Sequence, residues 1–381
     1  MPVVERLNAE DARECHSWDN FVMACPQATF FHRAGWQRIM RKVFRHDTYY
    51  LMARTNGGAN GGANGGANGG ENGGANGGTQ GGANGDANGG AHGRITGVLP
   101  LAHVNSRLFG NALTSLPFAA YGGVAAEDAA SAAALEQAAQ ALAQQLGVQH
   151  LELRNLTRQH PDWPAQDLYV TFRKAILPDE EANMLAIPRK QRAMVRKGIK
   201  NGLKSEIDSS VDRFFSLYAS NVHRHGTPAL SKRYFQALQK EFGSDCEVLT
   251  VTGPQGQLLS SVLSFYFRDE VLPYYAGDDE AARDLAANDF KYWELMRRSC
   301  ARGLKVFDYG RSKQGTGPYA FKKNWGFEPQ TLHYEYQLYK RDTVPQNNPA
   351  NPKYQLMIKT WRKLPVGFAN WLGPHVVRNL G

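Results

Sequence analysis

Apolar residues along this chain fall into two spacings, and the alternation between them gives the order of elements. "PVVERL" reads as a short strand, and Trp36, Ile39, Met40, Val43 and Phe44 recur at three- and four-residue steps that predict a helix. "HDTYYLMAR" and "RITGVLPLAHV" are strand-like runs rich in β-branched and aromatic residues, and a third run follows at "NALTSLPFAAYGG". Leu135, Leu142 and Leu146 then share one face of a predicted helix stopped by Gly147, before further strands at "VQHLELRNL" and "QDLYVTFRKAIL".

The second half repeats this order. Helices are predicted near 189–202, 211–224 and 231–242, and strands at "CEVLTVT", "LLSSVLSFYFR" and "EVLPYYAG". A long helix over about 284–302 ends at Gly303, "LKVFDYG" is a strand, and "PYAFKKNW" is a short helix with Pro318 at its start and Gly326 at its end. "LHYEYQLY" alternates as a final strand. Helices, a three-strand meander, helix, strand, helix, strand resembles the order of the GNAT acyltransferase fold, here met twice. The fold class expected is α/β (α+β): tandem GNAT-like domains, each a mixed, mostly antiparallel sheet flanked by helices. The expected division is 1–178 for the first domain, 179–342 for the second, and 343–381 for a linker and basic tail.

One tract stands outside both spacings. Residues 56–93 repeat the unit "NGGA" with few substitutions, so they have almost nothing apolar to bury and a maximal backbone entropy to lose. The tract is expected to be disordered, an expanded loop between two hairpin strands, since lengthening such a loop costs little closure entropy.

Composition adds charge. The net charge is +9 and the pI near 9.3, which favours an anionic partner such as RNA, a phosphorylated substrate or a membrane surface. The apolar runs are far shorter than the roughly 20 residues of a membrane-spanning helix, and "MPVVERLNAEDAREC" lacks a signal-peptide pattern, so the expected place is the cytoplasm. Cys15, Cys25, Cys246 and Cys300 lie far apart without a CxxC pair, and His223 and His225 lack a nearby third ligand, so no metal site is expected.

The candidate chemistry centres on "FDYGRSKQGTGPYAFKKNWGF", residues 307–327. Gly310 and Gly315 have Walker A spacing but are followed by Thr316 and Gly317, so the phosphate-reaching lysine is missing. The acetyl-CoA pattern [RQ]-x-x-G-x-[GA] is also absent, from "GDDEAARDLAA" and from "YGGVAAEDAAS". What remains is a strand, a glycine turn and a helix whose first turns carry Lys322 and Lys323, a place where main-chain N–H groups and an ammonium can hold an anion. Equally, the glycines can serve the turn alone while the lysines stay in solvent.

The segments "LAIPRKQRAMVRKGIKNGL", "RHGTPALSKRYFQAL", "LPYYAGD", "NDFKYWELM" and "FDYGRSKQGTGPYAFKKNWGFEP" resemble the FemAB-type aminoacyltransferases that build peptidoglycan cross-bridges. More closely, they resemble FemAB-like proteins of exosortase (PEP-CTERM) and exopolysaccharide systems. The resemblance covers nearly all of residues 1–340 apart from the repeat, and it implies attack by an amine on an activated acyl carbon. A Phe-Lys pair that lies in the reaction channel of those enzymes matches Phe321 and Lys322. Their basic helix matches "RKQRAMVRKGIK", where Arg189, Arg192 and Arg196 recur at helical steps, suited to a diphosphate or a tRNA backbone and equally to a solvated face. Where bridge-building relatives often carry a helical arm for tRNA, only about a dozen residues separate this helix from "VDRFFSLY". The donor therefore stays open between aminoacyl-tRNA and acyl-CoA, a co-substrate in either case, with no tightly bound cofactor.

Lys322 is the candidate for stabilising the oxyanion or holding a phosphate beside it, and Asp308 for taking the amine's proton or, instead, for pairing with Arg311. Tyr274, Tyr275, Arg311, Ser312, Tyr319 and Phe321 are candidate channel residues. The expected function is an N-acyltransferase acting on an amine of a cell-envelope, peptidoglycan or exopolysaccharide precursor, phosphorylated or lipid-linked. The alternatives are an acyl-CoA or acyl-carrier-dependent enzyme of the same fold, and a non-catalytic glycan- or lipid-binding adaptor of an export system. No DNA partner is expected. In the tail, Tyr354, Met357, Ile358 and Trp361 fall on one helical face, and residues 351–381 hold five bases and no acid. That pattern suits a helix lying on an anionic membrane, or one packed back onto the first domain.

Overall fold

The computed structural model describes residues 2–55, 93–106, 110–345 and 352–378. The Asn/Gly tract lies outside the described residues, apart from its last position.

Helices form where a cap and an apolar face coincide. Asp128 caps Ala129–Leu146 by accepting the N–H of Ser131 at 2.8 Å, and Gly147 ends it at φ 61, a left-handed conformation that suits glycine. Ser231 caps Lys232–Phe242 in the same way, and that helix buries Tyr234, Phe235, Leu238 and Phe242 on one face. Each such side chain contributes roughly 1.5–3 kcal/mol of burial.

Among the described residues the strands form two eight-stranded sheets. The first runs Val3–Arg6, Asp47–Arg54, Ile95–Ser106, Gly110–Thr114, His150–Asn155, His333–Leu338 and Ala165–Gln166, with Ala125–Ala126 paired to Ile95–Ser106. The second runs Ser312–Lys313, Tyr169–Ala175, Val306–Asp308, Glu270–Asp278, Leu258–Phe267, Cys246–Thr252 and Lys204–Asp208, with Pro329–Thr331 beside Tyr169–Ala175. The two hairpin strands that frame the Asn/Gly tract pair antiparallel, Asp47 opposite His103. Each sheet is mostly antiparallel and contains one parallel pair, Gly110–Thr114 with His150–Asn155 and Glu270–Asp278 with Val306–Asp308. Each pair is joined through a helix, Ala129–Leu146 or Ala287–Ala301, which a parallel connection requires. This is the tandem GNAT-like α/β architecture.

The two halves exchange strands. Tyr169–Ala175 leaves the first half to pair with Val306–Asp308 in the second sheet, and His333–Leu338 returns from the second half to pair with His150–Asn155 in the first. A shared aromatic core reinforces this: Phe30 stacks on Phe265 with ring centroids 4.4 Å apart and lies 4.7 Å from Phe242. Among the described residues no helix is long and apolar enough to cross a membrane.

Candidate active site

The parallel strands of the second sheet stay together only briefly. Their register runs Glu270 to Val306 and Val271 to Phe307, after which the chain leaves the sheet through Tyr309 and Gly310 (φ 63). The longer strand continues to Asp278 and slips register opposite Leu263/Ser264, making Tyr274 the extra residue of a β-bulge. The strands diverge, and the opening is a cavity of about 650 Å³. Tyr274, Tyr275 and Asp278 line it from one side, Arg311, Phe321 and Lys322 from the other.

The helix Gly317–Asn324 delivers the last two. Pro318 stands in its first turn, where a missing N–H costs nothing. Trp325, fully buried at its C-terminal end, anchors it by donating Nε1–H to Asp289 Oδ1 at 2.9 Å. Lys322, half-buried one turn in, donates from Nζ to the carbonyl oxygens of Tyr309 at 2.7 Å, Gly310 at 3.0 Å and Arg311 at 3.3 Å. Burial pushes its ammonium down to about 7; Asp308 opposes this and Arg311 adds to it.

Asp308 sits behind the cavity rather than in its lining. It is wholly buried and accepts from Tyr121 Oη, from Thr171 Oγ1 at 3.0 Å, from Arg173 Nη1 at 2.8 Å and from the N–H of Gly310 at 2.8 Å. Its ion-pair partner is thus Arg173, on the exchanged strand, and not Arg311. Arg311 instead lies over the ring of Tyr169 at 4.6 Å and donates to Tyr334 Oη at 3.1 Å. By fixing Gly310, Asp308 sets the turn whose carbonyls seat Lys322.

Of the residues singled out from the sequence, Lys322, Arg311, Phe321, Tyr274 and Tyr275 meet at this cavity. Tyr275 shares a 2.9 Å hydroxyl contact with Tyr234. Tyr319 packs edge-on against Phe172 at 5.4 Å, and Ser312 is buried in a short strand beside Val170, its Oγ without a hydrogen-bond partner among the described residues. Arg189, Arg192 and Arg196 lie on the helix Arg189–Lys200 and do not line the cavity; Arg192 donates to Leu185 O at 3.3 Å.

Sequence reasoning missed Asp278. Its Oδ1 accepts from Ser260 Oγ and, at 2.8 Å, from Lys291 Nζ, a lysine with no exposed side-chain surface; the Asp278 side chain keeps 28% exposure at the cavity. The available signal was Lys291 itself, a charge among the apolar helix positions Ala287, Phe290 and Trp293, where it needs a buried anion.

A second cavity, about 690 Å³, lies past the parallel pair of the first sheet, and its charged groups are already committed. Arg154 pairs with Glu152 at 2.6 Å, and His160 bridges Glu136 at 3.1 Å and Glu335 at 3.2 Å. Hydrogen bonds that the imidazolium donates to both carboxylates, Glu136 first, raise His160 to about 9.

Residues 189–323 match the family model described as an acetyltransferase (GNAT) domain, and this range includes Tyr275, Asp278, Phe321 and Lys322 of the first cavity. No curated protein matches the sequence. The fold is similar to the crystal structure of FemX, with 14% identity and a TM-score of 0.60, over 93% of this chain and 100% of that one. It is similar to a conserved protein of unknown function from Bacteroides thetaiotaomicron, with 9% identity and a TM-score of 0.54, over 89% and 100%. A tandem GNAT protein from the clavulanic acid biosynthesis pathway shares it at 12% identity and a TM-score of 0.52, over 90% and 100% of the two chains.

Proposed function

We propose that this chain is an N-acyltransferase that moves an aminoacyl or acyl group onto an amine of a cell-envelope precursor, of the peptidoglycan or exopolysaccharide class, in the cavity between Asp278 and Lys322. The observation that carries this reading is the pairing of a carboxylate and an ammonium across one cavity in a domain of acyltransferase type.

The acceptor nitrogen forms its bond to the acyl carbon while the carbonyl π pair moves onto oxygen. Lys322 exchanges one of its three carbonyl contacts for the developing oxyanion. Asp278 takes the proton released by the amine and returns it to the leaving group as the carbon–oxygen or carbon–sulfur bond of the donor breaks. Asp308 is a positioning residue in this scheme, since its carboxylate is enclosed by four donors. Arg189, Arg192 and Arg196 offer phosphate contacts to the donor, an acyl-CoA or a charged tRNA.

The test is a donor screen of acyl-CoAs against charged tRNAs, with mass detection on amine-bearing sugar and peptide acceptors. A mass increase by one acyl group that disappears in Lys322→Ala supports the reading, and ribonuclease sensitivity assigns the donor. No transfer from any donor to any amine sinks it.

A further inference from the structure

We propose that the two tail helices, Pro352–Trp361 and Val366–Val377, form a docking surface for an anionic phospholipid membrane. Their inner faces are already used. Ala369 and Gly373 are buried, and a Cβ at Gly373 would meet the main-chain oxygen of Ala229 at 2.8 Å, so this close approach needs glycine. Gly226 gives the same closeness to Ile358 of the first tail helix. The carbonyl oxygens of Leu364 and Arg378 are held by His223 Nε2 at 2.9 Å and His46 Nε2 at 2.8 Å. The tail is therefore a fixed part of the fold.

Its outer faces break the rule for a helix packed on a protein. Opposite Ala369 and Gly373, where polar residues belong, Phe368 and Trp371 are 48% and 63% exposed with rings 5.7 Å apart. On the preceding helix Leu356 is 67% exposed, at helical spacing from the exposed Lys359, and Met357 is 48% exposed; Lys363, just past the helix, is exposed as well. Charge identifies the occupant: the sequence of residues 351–381 holds five bases and no acid, so the exposed apolar side chains share their segment with positive charge alone. Aromatic rings that sit at headgroup depth, with lysines around them, match an anionic bilayer surface.

The position has a consequence for the site. The tail packs on residues 226–229, and the flanking His225 and Leu230 belong to the cavity wall. The helices that meet lipid are thus built onto the wall of the candidate active site, which gives a lipid-borne acceptor a short path to it. The docking itself does not depend on the catalytic reading.

Vesicle co-sedimentation tests it. The full chain should bind phosphatidylcholine vesicles containing phosphatidylglycerol and not vesicles of phosphatidylcholine alone. Phe368→Ser with Trp371→Ser, and separately Lys359→Glu with Lys363→Glu, should each weaken binding about tenfold or more, with unchanged circular dichroism. Lys322→Ala should bind like the wild type, which separates this proposal from the catalytic one. Equal binding by the tail variants, or none by the wild type, overturns it. So does a lipid-free dimer that the Phe368/Trp371 variant converts to monomer, because the face would then cover a second copy.

Discussion

Lys322 Nζ donates to the main-chain oxygen of Tyr309 at 2.7 Å, so the ammonium that lines the cavity is seated on the peptide groups that end the neighbouring strand. The three carbonyls hold it in place before any substrate arrives, and they favour its charged form against the effect of burial. Lys322→Ala should lower kcat/KM by about 10²–10³ with the fold intact. If the charged form works, wild-type activity falls as pH rises through about 7, while Lys322→Arg keeps its residual activity across that range. A wild-type profile that is flat there excludes a protonated Lys322 as the acting species.

The same lysine affects stability. Its pKa falls from 10.5 to about 7 on folding, so between those values the unfolded chain binds the additional proton and stability rises with pH. Relative to Lys322→Met, the wild type should therefore gain stability from about pH 7 to pH 10.5. Urea denaturation of both proteins through this range measures it.

The two aspartates should separate cleanly. Asp278→Asn lowers kcat at nearly unchanged KM, as loss of a proton acceptor requires. Asp308→Asn acts through the fold instead, costing about 3 kcal/mol because Arg173 and Tyr121 lose their buried anion; in the remaining folded protein Lys322 loses the carboxylate that opposes burial, so activity falls off at lower pH than in the wild type. Denaturation and pH–rate curves on both variants decide the assignment.

His160 gives a stability term of the opposite sign. Its pKa is raised from 6.5 to about 9 by Glu136 and Glu335, so its contribution is complete below 6.5 and disappears as pH rises through about 9. His160→Gln should be less stable than the wild type at pH 6 and nearly equal to it at pH 10. A constant difference at both ends would mean that packing on Trp163, 4.0 Å away, matters more than charge.

Because each sheet takes a strand from the other half of the chain, the two halves should unfold together. Calorimetry is expected to show one transition in which the calorimetric and van't Hoff enthalpies agree. Two resolved transitions would mean that the exchanged strands do not couple the sheets.

Most elements were legible in the sequence because their periodicity is local: "LAIPRKQRAMVRKGIKNGL" gives Arg189–Lys200, and "EVLPYYAG" gives the strand Glu270–Asp278. The exchange of strands was not. Alternation in "LYVTFRKA" sets which side chains share a face, but it is the same whichever neighbour supplies the ladder. Asp308 shows the same limit, for Arg311 is three positions away and pairs elsewhere, while Arg173 reaches it from 135 positions upstream. Lys322 was found through a motif; Asp278 needed the partner of a buried lysine, which only the folded chain supplies.

The exchange also sets an order of assembly during synthesis. The first sheet cannot close until His333–Leu338 has left the ribosome, after the second sheet's own strands have emerged. Chains in production therefore carry an open sheet edge beside His150–Asn155 from its own emergence until that of His333–Leu338, roughly half of translation, an edge that can pair with other nascent chains. Yield in cells should respond to chaperone supply more than the stability of the finished protein does.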